Sequence, residues 1–217
     1  LNAGGREKRR KNMPDLAQLD HTGINVRYDM DRAEGLFSDL GFYLTERGYH
    51  SMGSINHLMV FGPDYMELVG LPPGKENPQT DFGAMPPGLN GLVFRTVDVD
   101  ATFAHLQEIG MADAPPKAFT RPIRTSEGEA MASFRTVAVR ADIFPGGRVY
   151  FCEHGTPELV WRPEWRSHAN GALATPEFVV ASRDHEQEAV NFARLLHSEV
   201  GGNTNDRAVP LAEGKIS

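Results

Sequence analysis

The feature that most constrains the fold of this chain is a repeated order of elements. A strand pattern over 20–27, "DHTGINVR", leads into "DRAEGLFSDLGF", where Ala33, Leu36, Phe37 and Leu40 recur at helical spacing and Gly41 supplies the stop. Three short strand patterns follow, "YLTERGYH", "INHLMVFG" and "DYMELVG", the last two joined by a turn at Gly62, Pro63 and Asp64. A second round begins at "NGLVFRTVD". Its helix "DATFAHLQEIGM" carries Phe103, Leu106 and Ile109 as the apolar stripe, and Asp100 to Gly110 spans the same ten steps as Asp31 to Gly41. Strands expected near "AFTRPIR", "ASFRTVAVRADIF" and "GRVYFCEH" complete it, with "FPGG" as the last turn. Each round reads βαβββ, and stacked copies of such a unit bury a common core.

After the bridge "TPELVWRPEWRSHANGA" a third round opens with "PEFVVAS" and a helix, "DHEQEAVNFARLLHSEVGG", that buries Ala189, Phe192, Ala193 and Leu196. Only "RAVPLAEGKIS" remains, room for about one strand by ordinary strand length. The third unit is therefore expected to lack two strands, being truncated or completed by another chain. The predicted organisation is a basic leader over 1–17, units over 18–75 and 88–160, and a partial unit over 168–217. The fold class is α+β, with repeated βαβββ modules forming cupped mixed sheets and helices on the outer face. The unpaired edges of an incomplete unit predict a homodimer.

The totals narrow the function. A formal net charge of −7 argues against nucleic-acid binding, which needs clustered cations. No apolar run approaches a membrane span and no apolar leader resembles a signal peptide, so no membrane partner and a cytoplasmic location are expected. The exception to the acidic balance is "GGREKRRKN", with Arg6, Lys8, Arg9, Arg10 and Lys11, read as a disordered leader. The single cysteine, Cys152, precludes an internal disulfide and reads as core packing in a strand. Trp161 and Trp165 read as anchors pinning the bridge across a sheet, and His168 beside them as structural or solvated. There is no phosphate-binding glycine loop, HExxH or GxSxG, so nucleotide, zincin and α/β-hydrolase chemistry have no foothold.

The chemistry starts from strand alternation. Ile24 and Val26 mark one face of the first strand, leaving His21, Gly23, Asn25 and Arg27 on the other. In "DYMELVG", Glu67 lies opposite Met66 and Leu68, so a helix covering the apolar side leaves His21 and Glu67 on one open face. In the second unit "VYFCEHG" sets Glu153 where Glu67 stands in the first. His21, Glu67 and Glu153 are thus candidate ligands for a divalent metal such as Zn, Mn, Fe, Ni or Mg, and His21 with Glu67 is also a candidate acid and base pair. Glu67 and His57 are candidate proton carriers. Asn25, Tyr65 and His57 are candidate pocket residues. A three-residue turn at 62–64 would set His57 on the face of Glu67, and a four-residue turn would set it on the opposite face.

These segments, "LDHTGINV", "LFSDLGF", "INHLMVFG", "DYMELVG" and "VYFCEHGTPELVWRPEW" followed by "HANGA", resemble the vicinal oxygen chelate superfamily, in its glyoxalase-like branch, over roughly residues 18 to 200. The resemblance implies paired βαβββ modules around a cupped sheet, with metal ligands on the first and last strand of each module. Carried over, it sets His21 and Glu67 on the two ligand positions of the first module and Glu153 on the last-strand position of the second. Asn90 and Gly91 stand where a second His or Gln would be expected. The superfamily includes metal-dependent lyases and isomerases that stabilise an enediolate, and metal-free proteins that bind and sequester small molecules. Both remain open: an enzyme acting on a small oxygenated substrate, or a binder in which Tyr43, Tyr65, Phe61 or the tryptophans stack on the ligand.

Overall fold

The computed structural model describes residues 17–75, 82–83, 85–125, 128–203 and 206–217. The basic leader lies outside them up to residue 16. The first unit is β1 (Leu19–Arg27), α1 (Met30–Asp39), β2 (Gly48–Tyr49), β3 (Ile55–Val60) and β4 (Tyr65–Gly70). The second is β5 (Gly88–Arg95), α2 (Val99–Glu108), β6 (Lys117–Thr125), β7 (Gly128–Ala138) and β8 (Arg148–His154). Their strands form one mixed sheet in the order β2-β3-β4-β1-β5-β8-β7-β6. Within each unit the first and last strands run parallel (β1 with β4, β5 with β8), while β1 and β5 join the units antiparallel.

The sheet is strongly curved and nearly barrel-like. Its outer strands approach each other, the Ser51 amide donating to the Thr120 carbonyl at 2.9 Å and the Thr120 amide to the Ser51 hydroxyl at 3.1 Å. One end of the resulting cup is closed by the bridge, where Val160 and Trp165 pack with Leu58, Tyr65, Phe134 and Cys152. His168 ties the bridge to the first unit: its Nδ1 accepts from the Tyr43 amide at 3.0 Å, so its Nε2–H donates to the Val60 carbonyl at 2.9 Å.

The helices lie on the convex side. Under α1, Val26, Met30, Ile55, Met59 and Leu68 form a core joined by Ile24, Ala33, Phe37 and Met66. The expected α1 stripe is corrected by one flank, since Leu36 and Leu40 are 55% and 54% exposed and the buried side runs through Met30, Ala33 and Phe37. In α2 the buried side is Val99, Thr102, His105 and Leu106, with Phe103 and Ile109 partly covered.

The third unit departs most from expectation. It has β9 (Glu177–Phe178), α3 (His185–Leu196), β10 (Gly201–Asn203), β11 (Asp206–Pro210) and β12 (Lys215–Ile216). Their order, β10-β11-β12-β9 with β12 parallel to β9, repeats β2-β3-β4-β1. The unit therefore has all four strands, and the predicted shortfall of two is corrected. Strands of two to five residues are too short to present an alternating pattern, which is why they were not legible. The α3 side chains Ala189, Phe192, Ala193, Leu195 and Leu196 share one core with Leu106, Val137, Val149 and Phe151 of the second unit.

Candidate active site

The cup encloses a cavity of about 700 Å³, lined among others by His21, Asn56, Tyr65, Glu67, Arg121 and Tyr150. His21 enters it from β1. A register shift between Leu19 and His21 in the pairing with β5 marks a bulge, which puts two residues of β1 against one of β5. Consecutive side chains can then share a face, and Asp20 joins His21 on the interior side. The His21 Nδ1–H donates to Asp20 Oδ1 at 2.6 Å, and the ring stacks on Tyr65 at 4.4 Å with planes 11° apart. This turns Nε2 inward, 3.2 Å from the Tyr150 hydroxyl and 3.7 Å from Glu67 Oε2. The other Glu67 oxygen accepts from Asn56 Nδ2 at 2.7 Å.

Asp20 is fully buried, and it also accepts from His154 Nε2 at 3.0 Å and Arg95 Nε at 3.0 Å. Burial alone would raise its pKa, but His154 and His21 outweigh that and hold the carboxyl far below its ordinary range. Burial raises the Tyr150 phenol well above its ordinary value, with the Glu67 carboxylate adding to the rise, so the hydroxyl keeps its proton. His50, bonded through Nδ1 to the Ser54 hydroxyl at 2.8 Å, is driven down to about 4 by burial and stays neutral.

Several expected site residues lie elsewhere. Glu153 points to the convex side, where its carboxylate accepts from the Val99 amide at 2.7 Å and caps α2. Tyr150 and Cys152 occupy the interior face of β8, so the expected ligand position was assigned to the wrong side of that strand. His57 also faces outward. The link 61–64 has four residues and pairs Leu58, not His57, with Glu67. His57 Nδ1 donates to the Thr45 carbonyl at 2.7 Å and its Nε2 accepts from Arg47 Nε at 3.2 Å. Asn25 is buried behind the cavity, where its amide donates to the Phe82 carbonyl at 3.0 Å and the Pro86 carbonyl at 3.2 Å. These bonds fasten Phe82 and Pro86, and Phe82 and Met85 reach the lining.

Two donor sets share Asp20. His21 Nε2 and Glu67 Oε2 present lone pairs to each other once Nδ1 carries the proton bonded to Asp20, an arrangement that calls for a proton or cation between them. The second set is Asp20, Cys152 and His154, whose ligand atoms all lie within 4.8 Å of one another and could hold a metal ion. It fits a cation less well: Arg95 already neutralises Asp20, and burial holds the Cys152 thiol well above its ordinary pKa, in the protonated form.

The strand registers show how the units compare. His21 stands opposite Tyr65, and Glu67 follows two residues on; Gly91 stands opposite Arg148, and Tyr150 follows two residues on. Gly91 and Tyr150 are related in the second unit as His21 and Glu67 are in the first, and Val93 and Cys152 are related in the same way. A Cβ at Gly91 would lie 3.0 Å from the Gly23 Cα, so a side chain there would need β1 and β5 to part by a few tenths of an ångström.

A glyoxalase-like domain profile matches residues 19–196, which contain both complete units of the large sheet. The chain belongs to the glyoxalase-like family. Among solved structures, this glyoxalase-like protein is similar to a hypothetical protein from Staphylococcus aureus, with a TM-score of 0.71 and 15% identity over 92% of this chain and 84% of that one. It is also similar to methylmalonyl-CoA epimerase from Mycobacterium tuberculosis, with a TM-score of 0.48 and 21% identity over 64% of this chain and 89% of that one. No curated protein matches it. The vicinal oxygen chelate fold expected from the sequence is the fold observed.

Proposed function

We propose that this glyoxalase-like protein is a divalent-metal-dependent lyase or isomerase that moves a proton on a small oxygenated molecule, with His21 and Glu67 as its metal ligands. The observation that supports this reading is the 2.6 Å hydrogen bond from His21 Nδ1 to Asp20, which commits the Nε2 lone pair to the cavity beside Glu67. A divalent ion there would supply positive charge beside substrate oxygens that gain electron density when a neighbouring carbon loses a proton.

The remaining work falls to the chain itself. Asp20 fixes the tautomer of His21, and the Tyr65 ring fixes its plane. Asn56 holds one Glu67 oxygen and leaves the carboxylate positioned to take a proton. The Tyr150 hydroxyl, which keeps its proton, lies 3.2 Å from His21 Nε2 and would donate to substrate oxygen instead once a cation took that lone pair. Walls formed by Phe82, Phe119 and Phe134 limit water around these groups.

One observation favours a second reading, a metal-free binder of small molecules. In the second unit Gly91 pairs with Arg148 and Val93 with Tyr150, so these positions of β5 and β8 add no ligand to His21 and Glu67, two where the superfamily pattern offers four. Elemental analysis of protein purified without chelators separates the two. The enzyme reading expects one divalent ion per chain, lost in His21→Ala and Glu67→Gln and kept in Glu153→Ala. Metal-free wild-type protein with the same circular dichroism as its variants would establish the binder instead.

A further inference from the structure

Among the described residues, Arg121 is a cation without a counter-ion. It sits on β6 between Phe119 and Ile123, only 3% exposed, and its side chain lines the cavity. Its Nε is sealed from solvent with no hydrogen-bond partner, and among the described residues no hydrogen bond or ion pair engages the guanidinium. Arg95 in the same cup shows the ordinary solution, its Nε lying on Asp20 at 3.0 Å. Glu67 is near enough to act on Arg121 electrostatically but forms no ion pair with it, being held by Asn56 and facing His21. Room for Arg121 depends on Gly48, where a Cβ would stand 2.5 Å from its Cδ and 2.7 Å from Nη1. A second guanidinium, Arg148, also lines the cavity, with its Nε unpartnered and its plane 4.1 Å over the Phe82 ring.

We infer that the substrate or ligand of this cup is an organic carboxylate, and that Arg121 receives its carboxylate group. A buried guanidinium without a counter-ion is destabilising, and an incoming anion supplies the partner that the described residues do not. The planar fork of donors matches a planar carboxylate. Phe119, Phe134 and Phe82 in the same lining give the ligand an apolar body, and Arg148 adds a second positive charge. The inference rests on the reading that the cup is the substrate site, and it names the chemical class that site accepts.

The test is calorimetric titration of benzoate, its neutral isostere benzamide, and inorganic phosphate into chelator-treated wild type and Arg121→Gln. Benzoate is expected to bind wild type about tenfold or more tighter than benzamide, as a charge-assisted pair requires. The preference is read in protein stripped of metal, so a failure of the metal reading leaves this result intact. Arg121→Gln should erase it while melting no lower than wild type in the absence of ligand, since the variant removes an unpaired charge. Equal binding of benzoate and benzamide, no benzoate binding at millimolar concentration, a preference for phosphate, or an unchanged preference in Arg121→Gln would each overturn the inference. A lowered melting temperature in Arg121→Gln with the benzoate preference intact would mark the residue as structural.

Discussion

Asp20 and His21 are neighbours in a strand, yet both side chains enter the cup. Strict alternation would send Asp20 to the convex side, and the bulge at the start of β1 prevents it. The result is a buried carboxylate with three cationic or hydrogen-bonding partners, His21, His154 and Arg95. Replacing Asp20 by Asn leaves those partners facing a neutral amide in a buried setting, and we expect a loss of about 3 kcal/mol in urea unfolding. The same change should weaken metal retention about 10-fold to 100-fold, because the His21 tautomer is no longer enforced; unaltered stability and metal content would refute this role. His21 and Glu67 were legible in the sequence because both obey alternation on strands with a clear apolar side. Asp20 was not, since a bulge breaks the period without any residue type that signals it. Arg121 and Arg148 escaped for a different reason: they are unremarkable in "TRPIR" and "GGRVY", and only the closing of the sheet brings them to the cavity.

The elements were legible where they are long. Both α1 and α2, β1, and the βαβββ order of two units follow from periodicity and glycine stops, and the sheet order matches the pairing of two such units. Parity within β8 was not legible, because "VYFCEH" is apolar or polarisable on both sides and offers no clean alternation. The outward Glu153 gains a role instead. With Asp98, which accepts from the Ala101 amide at 2.9 Å, it satisfies the free donors at the start of α2. Glu153→Ala should therefore lower stability by about 1 kcal/mol in chemical denaturation. It should leave ligand binding in the cup unaltered, whereas a loss of metal from this variant would return Glu153 to the ligand set. His57 is settled by the turn length, since the residues 61–64 all lie between the paired Val60 and Tyr65.

At the scale of the molecule, the third unit is fastened to the second through the shared core of α2 and α3, and the homodimer expected from missing strands loses its basis. Two histidines stand in that junction: His197 Nε2 donates to His105 Nδ1 at 3.0 Å, and His105 Nε2 donates to the Leu195 carbonyl at 3.3 Å. Burial lowers both pKa values, that of His197 to about 4, with the neighbouring His105 contributing. The unfolded chain, with histidine near its ordinary value of about 6.5, then binds more protons than the folded one between those limits. Stability contributed by the pair is present above about pH 6.5 and falls as the pH drops toward 4. Amide exchange over Phe192–Leu196, corrected for intrinsic rates, should accelerate over that interval, and a His105→Gln variant should flatten the response; a profile equally steep in the variant would exclude the pair as its source. The closed end of the cup has a further consequence. Trp161 lies against the His154 and Tyr65 rings at 4.8 and 5.7 Å, with the Arg95 guanidinium 4.0 Å over its face. Indole emission responds to such neighbours, so the protein carries a built-in fluorophore at the floor of the cup, with Trp165 as the only other tryptophan.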